Sequence, residues 1–219
     1  GNQWKNAVRV STGATMKQLS TISVAVLLAL LGSNNDAAAY AESPTQAIRR
    51  TNRTLNTLLR KKVRDGTPAA KRVEARLKKA VKGFLDFEEL ARRSLGKHWQ
   101  KRTAVERAEF TGILAALIER NYVKQLRSNL SYRLEYRDEK VKDGAARVIT
   151  VVKIEKNGRT EAVEIEYRMR KTARGWMVYD VITDEVSVVR NYRSQFNRII
   201  RRDSYEVLVK KMRRKLERI

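Results

Sequence analysis

Between residues 132 and 183 the chain contains four consecutive strand-like segments separated by short turn sequences, and the first and third of them alternate apolar and polar side chains. An alternation with a period of two is typical of strands that bury one face and expose the other. Asn157-Gly158 is a strong signal for a two-residue hairpin turn, and Arg174-Gly175 provides another turn. The pattern predicts a curved, four-stranded antiparallel sheet with strands at 132–136, 147–155, 160–170 and 176–183. Other elements must cover the apolar face of this sheet.

Helical periodicity flanks the predicted sheet on both sides. A first helix is predicted from Pro44 to Lys62, and a second begins at Thr67-Pro68. Asp86 and Thr103 each begin a capping-box sequence, and Gly96 ends the helix that starts at Asp86. After the strands, one helix face carries four apolar residues, Val189, Tyr192, Phe196 and Ile200. This order of elements predicts an α+β domain with N-terminal helices wrapped on the sheet and C-terminal helices after it.

The first 41 residues are separated from this domain by their composition. Residues 16–41 have the features of a signal peptide, namely a positive start at Met16-Lys17, an apolar run from Ile22 to Leu31 and small residues at Ala39 and Ala41. The apolar run is half of the roughly twenty residues that a membrane-spanning helix needs. Residues 1–15 are interpreted as an upstream extension or a cloning remnant. We therefore expect an exported protein with a single domain at 42–219.

The chain is strongly basic, with a formal net charge of +24. Such an excess predicts attraction to a polyanion, either nucleic acid or an anionic membrane surface. Export favours the membrane surface, and no basic motif for reading nucleic acid is evident, so no specific nucleic-acid partner is expected. Residues 44–82 contain thirteen Lys or Arg against two acidic residues. They form either a solvated surface or a docking face for anionic lipid head groups or an acidic partner.

The sequence offers little support for catalysis. The chain has no cysteine and one histidine, His98, and it lacks a Gly-x-Ser-x-Gly elbow, a phosphate-binding loop and a spaced metal-ligand cluster. Tyr179 and Asp180 are adjacent on a strand, so they should point to opposite faces and cannot form one acid–base pair. Asp180 is interpreted as a structural carboxylate that pairs with an arginine. We expect no enzymatic activity, no metal and no cofactor.

Two blocks of sequence form a distinctive pattern. The C-terminal block contains Gly175-Trp176, Asp180-Val181, Ser187 and the run Tyr192-Arg193-Ser194-Gln195-Phe196. The central block contains Phe84-Leu85-Asp86-Phe87-Glu88-Glu89-Leu90, then Ser94-Leu95-Gly96 and Trp99, then Glu106-Arg107, Phe110 and Tyr122. Together they resemble the MlaC/toluene-tolerance family of periplasmic phospholipid carriers. One departure is Asp184-Glu185-Val186, where many family members have a glycine shortly before the serine. This departure bears on the local loop geometry more than on the resemblance itself.

The resemblance implies a cone-shaped sheet related to nuclear transport factor 2, with helices that enclose an apolar cavity. It also implies a periplasmic carrier whose cargo is a diacyl phospholipid. Such a carrier would move glycerophospholipids between an outer-membrane lipoprotein complex and an inner-membrane ABC transporter, and so maintain outer-membrane lipid asymmetry. Twelve residues are expected to line the pocket for the acyl chains, because of the helix or strand face on which they lie and their position in the family. They are Phe84, Phe87, Leu90, Trp99, Phe110, Leu114, Leu117, Tyr167, Trp176, Val178, Tyr192 and Phe196.

Two alternatives stay open at the level of sequence. The apolar faces of sheet and helices can meet in a filled core instead of a cavity. In that case the chain would be a basic protein that binds nucleic acid or an anionic surface without holding a lipid. Within the carrier hypothesis, the cargo can also be another apolar lipid such as a hopanoid. The direction of transport and the oligomeric state are not encoded in any pattern that we recognise.

Overall fold

The computed structural model describes residues 42–61, 63–64, 66–126, 132–156 and 159–217. Within these ranges the chain begins with helices and continues into a sheet, followed by two more helices. The helices are α1 (Pro44–Leu59), α2 (Pro68–Phe84), α3 (Phe87–Leu95), α4 (Ala104–Leu126), α5 (Val188–Arg202) and α6 (Tyr205–Glu217), with a 3-10 turn at Gly96–His98. The α+β class and the order of elements agree with the sequence-based prediction.

The sheet contains five antiparallel strands in sequential order, one more than predicted. The strands are β1 (Tyr132–Lys142), β2 (Ala145–Lys156), β3 (Arg159–Thr172), β4 (Gly175–Thr183) and β5 (Val186–Ser187). Strand β5 was missed because two residues are too few to show an alternation. It folds back on the end of β4, where Ser187 pairs with Ile182. The predicted Asn157-Gly158 turn lies outside the described residues, but β2 and β3 pair from Lys156 and Arg159 onwards.

The two faces of the sheet differ as the alternation predicts. Residues Val148, Val152, Ile165, Tyr167 and Met169 point to the helices and are fully buried. The opposite face of β1, β2 and β3 carries ion pairs, such as that between Arg147 Nε and Glu166 Oε2 at 2.9 Å. The main hydrophobic cluster therefore lies on the helical side, whereas Ile149 and Ile182, which pair with Glu166, are buried on the opposite face.

Two register shifts redirect side chains within this pattern. One lies between Tyr136 and Asp138 in β1, and the other lies at Tyr179 in β4. Each places an extra residue opposite its partner strand, as in a β-bulge. The bulge in β1 brings Glu139 to the same face as Tyr136, because Tyr136 pairs with Thr150 and Glu139 pairs with Val148. Strict alternation along β1 would have placed them on opposite faces.

The predicted helix starts are confirmed by their capping hydrogen bonds. The Asp86 carboxylate accepts from the backbone N–H of Glu89 at 3.1 Å. Thr103 and Glu106 form a reciprocal capping box, with distances of 3.2 and 2.7 Å. Gly96 ends α3 with a φ of 58°, a conformation that favours glycine. The predicted first helix was too long, because α1 ends at Leu59 instead of Lys62.

Asp180 proves to be a structural carboxylate, although its partners differ from the arginine that we expected. It is buried, and it accepts from the Ser187 hydroxyl at 2.7 Å and from the Val189 backbone N–H at 3.0 Å. The carboxylate therefore satisfies one of the free N–H donors at the start of α5 and fixes that helix to the end of β4. In the connection, Asp184 and Glu185 have φ values of 46° and 63°. These are the positions where the sequence departs from the glycine of the family pattern.

No helix in the described part of the chain is both long and apolar enough to cross a bilayer. The apolar run from Ile22 to Leu31, with the rest of the predicted signal peptide, lies outside the described residues. The predicted division of the chain at residues 15 and 41 stays a prediction.

Candidate functional site

The twelve residues predicted to line a chain pocket lie together on the helical side of the sheet. Ten are buried members of one contiguous hydrophobic cluster, and Phe87 and Tyr192 are partly buried and pack against it. The cluster extends from α2, α3 and α4 across β3 and β4 to α5. Four of the twelve, Phe110, Leu114, Tyr167 and Val178, have no exposed surface at all. The sequence therefore identified residues that are spatially contiguous, and their role in lipid binding stays a prediction.

Aromatic rings organise one end of this cluster. Phe110 on α4 packs edge-to-face against Phe196 on α5, with ring centroids 5.5 Å apart, and also contacts Tyr205 on α6. Tyr192 stacks on Phe196 with centroids 5.3 Å apart. The Tyr-x-x-x-Phe spacing of the C-terminal motif thus places two rings on one helix face, where they join α4, α5 and α6.

At the other end, α3 is attached to the sheet by a charged network. The buried Asp86 carboxylate forms an ion pair with Arg170 on β3, and its backbone N–H donates to the Val178 carbonyl at 2.7 Å. Buried Glu89 accepts from Arg92 at 2.6 and 2.7 Å and from Arg93 at 2.6 Å. The Asp86 contacts hold the start of α3 over the apolar face of β4, whereas the Glu89 hydrogen bonds lie within α3 and Glu89 reaches the sheet only through Arg170, at 3.9 Å.

Glu89 should make the stability of the fold depend on pH in the acidic range. The hydrogen bonds from Arg92, followed by those from Arg93, lower the pKa of Glu89 from 4.5 to about 2. A carboxyl with a depressed pKa stabilises the folded state above its unfolded pKa, and this contribution disappears as the pH falls towards the folded pKa. We expect Glu89→Gln to be less stable than the wild type at pH 6, with the difference shrinking between about pH 4.5 and 2.

The measurement is urea denaturation across that pH range, with Glu88→Gln as the control. Glu88 is the exposed neighbour on the same helix, so its replacement should have little effect at any pH. A stability difference between wild type and Glu89→Gln that is the same at pH 6 and pH 2 would contradict the assignment.

A polar pocket of about 310 Å³ lies beside the cluster, between α3 and α5. Its lining residues are Arg92, Arg93, Gly96, Trp99, Gln100 and Arg193. The Arg193 side chain passes over Gly96 and donates from Nε to the Arg93 carbonyl at 2.8 Å. The pocket therefore joins residues of both sequence motifs. Its arginine-rich lining makes it unsuitable for acyl chains.

The sequence analysis missed a polar group that lies between α1 and the sheet. Asn52 on α1 and Thr150 on β2 have no exposed surface, and the Tyr136 hydroxyl on β1 is also buried. None of the three side chains has a hydrogen-bond partner within the described residues. Asn52 lies in the apolar stripe between Ile48 and Leu55, and that position was the available signal.

The exposed side of α2 carries a basic stripe, consisting of Arg72, Arg76 and Lys79. The i, i+4, i+7 spacing aligns these exposed residues along the helix, opposite the buried Val73 and Leu77. The three form no ion pair within the described part of the chain, whereas Lys78 pairs with Glu74 at 2.8 Å. This stripe is the most clearly organised part of the basic segment noted in the sequence.

The residues considered for catalysis do not form a catalytic group. His98 lies in the 3-10 turn after α3, and its Nε2 is 3.0 Å from the Asn197 side-chain oxygen. Asp180 is fully engaged at the start of α5, and the Tyr179 ring lies under the Arg93 guanidinium at 4.1 Å. All three residues have structural contacts that account for their positions.

The family model described as MlaC protein matches residues 49–214. The structure of a phospholipid-binding protein from Ralstonia solanacearum, solved in complex with a phospholipid, is similar with a TM-score of 0.65 and 19% sequence identity. The match covers 78% of this chain and 96% of that protein.

A second solved chain, a variant of Rd1NTF2_05, has a TM-score of 0.24 and 22% identity, and covers 52% of this chain and 98% of its own length. A score this low carries no argument about the fold. No curated protein matches the sequence.

Proposed function

This chain belongs to the MlaC family, and from that membership we propose that it is a carrier that binds a diacyl phospholipid with its acyl chains among the core residues of the helices and sheet. The observation that carries the proposal is the likeness of the whole fold to a protein solved in complex with a phospholipid. The structural match covers 96% of that protein, so the likeness extends over its whole length and is not limited to one motif. Because the twelve predicted residues are contiguous, they offer the acyl chains one continuous apolar location.

The need for such a carrier follows from the hydrophobic effect. Each methylene group removed from water contributes about 0.8 kcal/mol, so two chains of about sixteen carbons would cost on the order of 20 kcal/mol to expose. Unaided passage of a phospholipid through an aqueous compartment is therefore negligible. A protein that surrounds the chains lowers this cost without any bond being made or broken. The proposed function thus requires an apolar interior and no catalytic group.

In the cell we propose that the protein is exported to the periplasm and exchanges phospholipid between an outer-membrane lipoprotein complex and an inner-membrane ABC transporter. This exchange would maintain the lipid asymmetry of the outer membrane. The predicted signal peptide at residues 16–41 and the family resemblance support this location. Because transfer from one apolar environment to another is nearly balanced in free energy, docking on each membrane complex must control uptake and release. The exposed basic stripe on α2 suits an encounter with an anionic membrane surface.

Native mass spectrometry of protein purified without detergent tests the carrier function. We expect an added mass of one diacyl phospholipid per chain, identified by lipid extraction. Leu114→Trp should lower lipid retention several-fold, because a rigid indole occupies chain volume at a fully buried position while the site stays apolar. Val105→Trp is the matched control, since Val105 lies on the same helix and is 77% exposed.

A wild-type protein that has no added mass and takes up no lipid from anionic vesicles would contradict the carrier function. Equal lipid retention by the wild type and folded Leu114→Trp would show that Leu114 does not line the acyl-chain pocket. It would not contradict the carrier function.

A further inference from the structure

A polar stripe runs along the side of α1 that faces β1. It consists of Arg49, Asn52, Arg53 and Asn56, which are spaced i, i+3, i+4 and i+7 and therefore lie on one side of the helix. The Arg49 guanidinium lies 3.7 Å from the centroid of the Tyr136 ring on β1. The N-terminus of the helix is held at the same strand, where the Thr45 N–H donates to the Glu139 carboxylate at 2.7 Å. These contacts fix the stripe against the sheet.

The stripe and the sheet residues beside it carry buried hydrogen-bonding groups that have no partner within the described residues. Both side-chain polar atoms of Asn52, the amide nitrogen of Asn56, the Tyr136 hydroxyl and the Thr150 hydroxyl have no partner within the described residues. Asn52 and Thr150 are fully buried. Buried polar groups in proteins are nearly always hydrogen-bonded, because they give up their bonds to water on folding. Several unmet groups in one place therefore indicate a site for a polar ligand.

The chemistry of the stripe is dominated by donors and positive charge. Arg49 and Arg53 form no ion pair within the part of the chain that the structure describes, whereas the neighbouring Arg50 pairs with Glu42 at 2.7 Å. Two guanidinium groups, two amides and two hydroxyls can together donate to a ligand that only accepts. Burial raises the pKa of Tyr136 to about 12, so its hydroxyl keeps its proton at neutral pH. Phosphodiester and carboxylic ester oxygens fit this donor set, and guanidinium groups favour phosphate.

The position of the stripe also fits a ligand with one apolar end. Thr150 lies between Val148 and Val152 on the same strand face, and both valines are fully buried members of the hydrophobic cluster. Arg53, at the other side of the stripe, is exposed. A ligand that occupied the site would thus have acyl groups at the core and a charged group at the surface.

We propose that the stripe on α1, together with Tyr136 and Thr150, binds the phosphodiester and glycerol ester oxygens of the carried phospholipid. This inference rests on the proposed carrier function and specifies how the polar end of the cargo is recognised. Recognition at the phosphodiester does not require a particular head group beyond it. The site should therefore favour phospholipids over diacylglycerol, and it should tolerate different alcohols on the phosphate.

Two variants test the proposal by different routes. Asn52→Leu removes an unpartnered buried amide and keeps a similar volume, so it should leave thermal stability unchanged or raise it. Arg49→Met removes a guanidinium from a partly exposed position and keeps an unbranched apolar stem at the Tyr136 ring. Thr51→Val is the matched control, because Thr51 is buried on the same helix outside the stripe.

The assay is lipid uptake from neutral phosphatidylcholine vesicles that contain either dioleoylphosphatidylglycerol or dioleoylglycerol, read by native mass spectrometry, with inorganic phosphate as a third probe. We expect the wild type and Thr51→Val to prefer the phospholipids over dioleoylglycerol by at least about tenfold. Each stripe variant should lose most of this preference while dioleoylglycerol uptake stays unchanged.

The outcomes separate this inference from the carrier function. If wild type and both stripe variants take up phospholipid equally, the stripe does not bind the phosphodiester, although the protein is still a carrier. If the wild type takes up no lipid of any kind, the carrier function itself fails. Binding of inorganic phosphate that depends on Arg49, without phospholipid uptake, would overturn the assignment of the site to a lipid.

Discussion

Replacing Phe110 with alanine is expected to lower the free energy of unfolding by about 3–5 kcal/mol. Phe110 has no exposed surface and lies where α4, α5 and α6 meet, in contact with the rings of Phe196 and Tyr205. Removing the ring costs its burial and leaves a cavity that three helices would have to move to fill. The loss is large for a domain of this size, so the variant should unfold well below the wild-type temperature.

Urea denaturation and thermal unfolding of the lipid-free protein provide the measurement. Val105→Ala is the control, because Val105 is 77% exposed five residues earlier on α4 and its truncation should change stability by no more than about 0.5 kcal/mol. A loss below about 1 kcal/mol in Phe110→Ala would show that the three helices do not pack at this ring.

The same variant also reports on the carrier, because a ligand that binds only the folded state stabilises it. If acyl chains lie beside Phe110, phospholipid should stabilise the wild type and Phe110→Ala by different amounts. The alanine variant has more room for the chains and fewer contacts to them. The residues that hold the fold together and those proposed to hold the chains are largely the same set, so lipid loading and stability should be coupled.

Local sequence signals predicted the framework of this fold well. The helix starts at Asp86 and Thr103 and the helix end at Gly96 depend on short-range hydrogen bonds and backbone conformation, and the structure confirms all three. The capping box at Asp86 is only half formed, because the Asp86 N–H donates to the Val178 carbonyl instead of to Glu89. The period-two alternation identified β1 and β3 and the face that they bury, because burial on one side of a strand imposes that period on the sequence. Strand β4 is buried on both faces, so its position was predicted from the flanking turn and its apolar run instead.

Features that depend on distant contacts were predicted less well. The arginine partner proposed for Asp180 was wrong, because the end of β4 folds back through β5 and brings Ser187 and the start of α5 to the carboxylate. The bulge in β1 changes which residues face α1, and no alternation can reveal an inserted residue. Asn52 illustrates a further limit. A prediction from polarity alone places an asparagine at the surface, and only its position in an apolar stripe indicates that it is buried.

The largest expected effect on membrane association comes from removing the basic stripe of α2. The triple variant Arg72→Gln, Arg76→Gln, Lys79→Gln should bind vesicles containing anionic lipid roughly 100-fold more weakly than the wild type at low salt. Each basic residue near an anionic surface contributes about 1 kcal/mol, and three such contributions correspond to about two powers of ten. The fold should be unaffected, because all three side chains are exposed and lie opposite the buried face of the helix.

Vesicle sedimentation at several salt concentrations measures this effect, and a second triple variant controls for charge alone. Lys142→Gln, Lys171→Gln, Arg174→Gln removes the same number of exposed positive charges from the hairpin ends of the sheet. If α2 is the docking face, this control should retain most of the wild-type affinity, and the α2 variant should also lose most of its salt dependence. Equal weakening of the two variants would mean that the net charge of +24 acts as a whole. Binding would then have no preferred face, and α2 would lose its proposed role in orienting the carrier at a membrane.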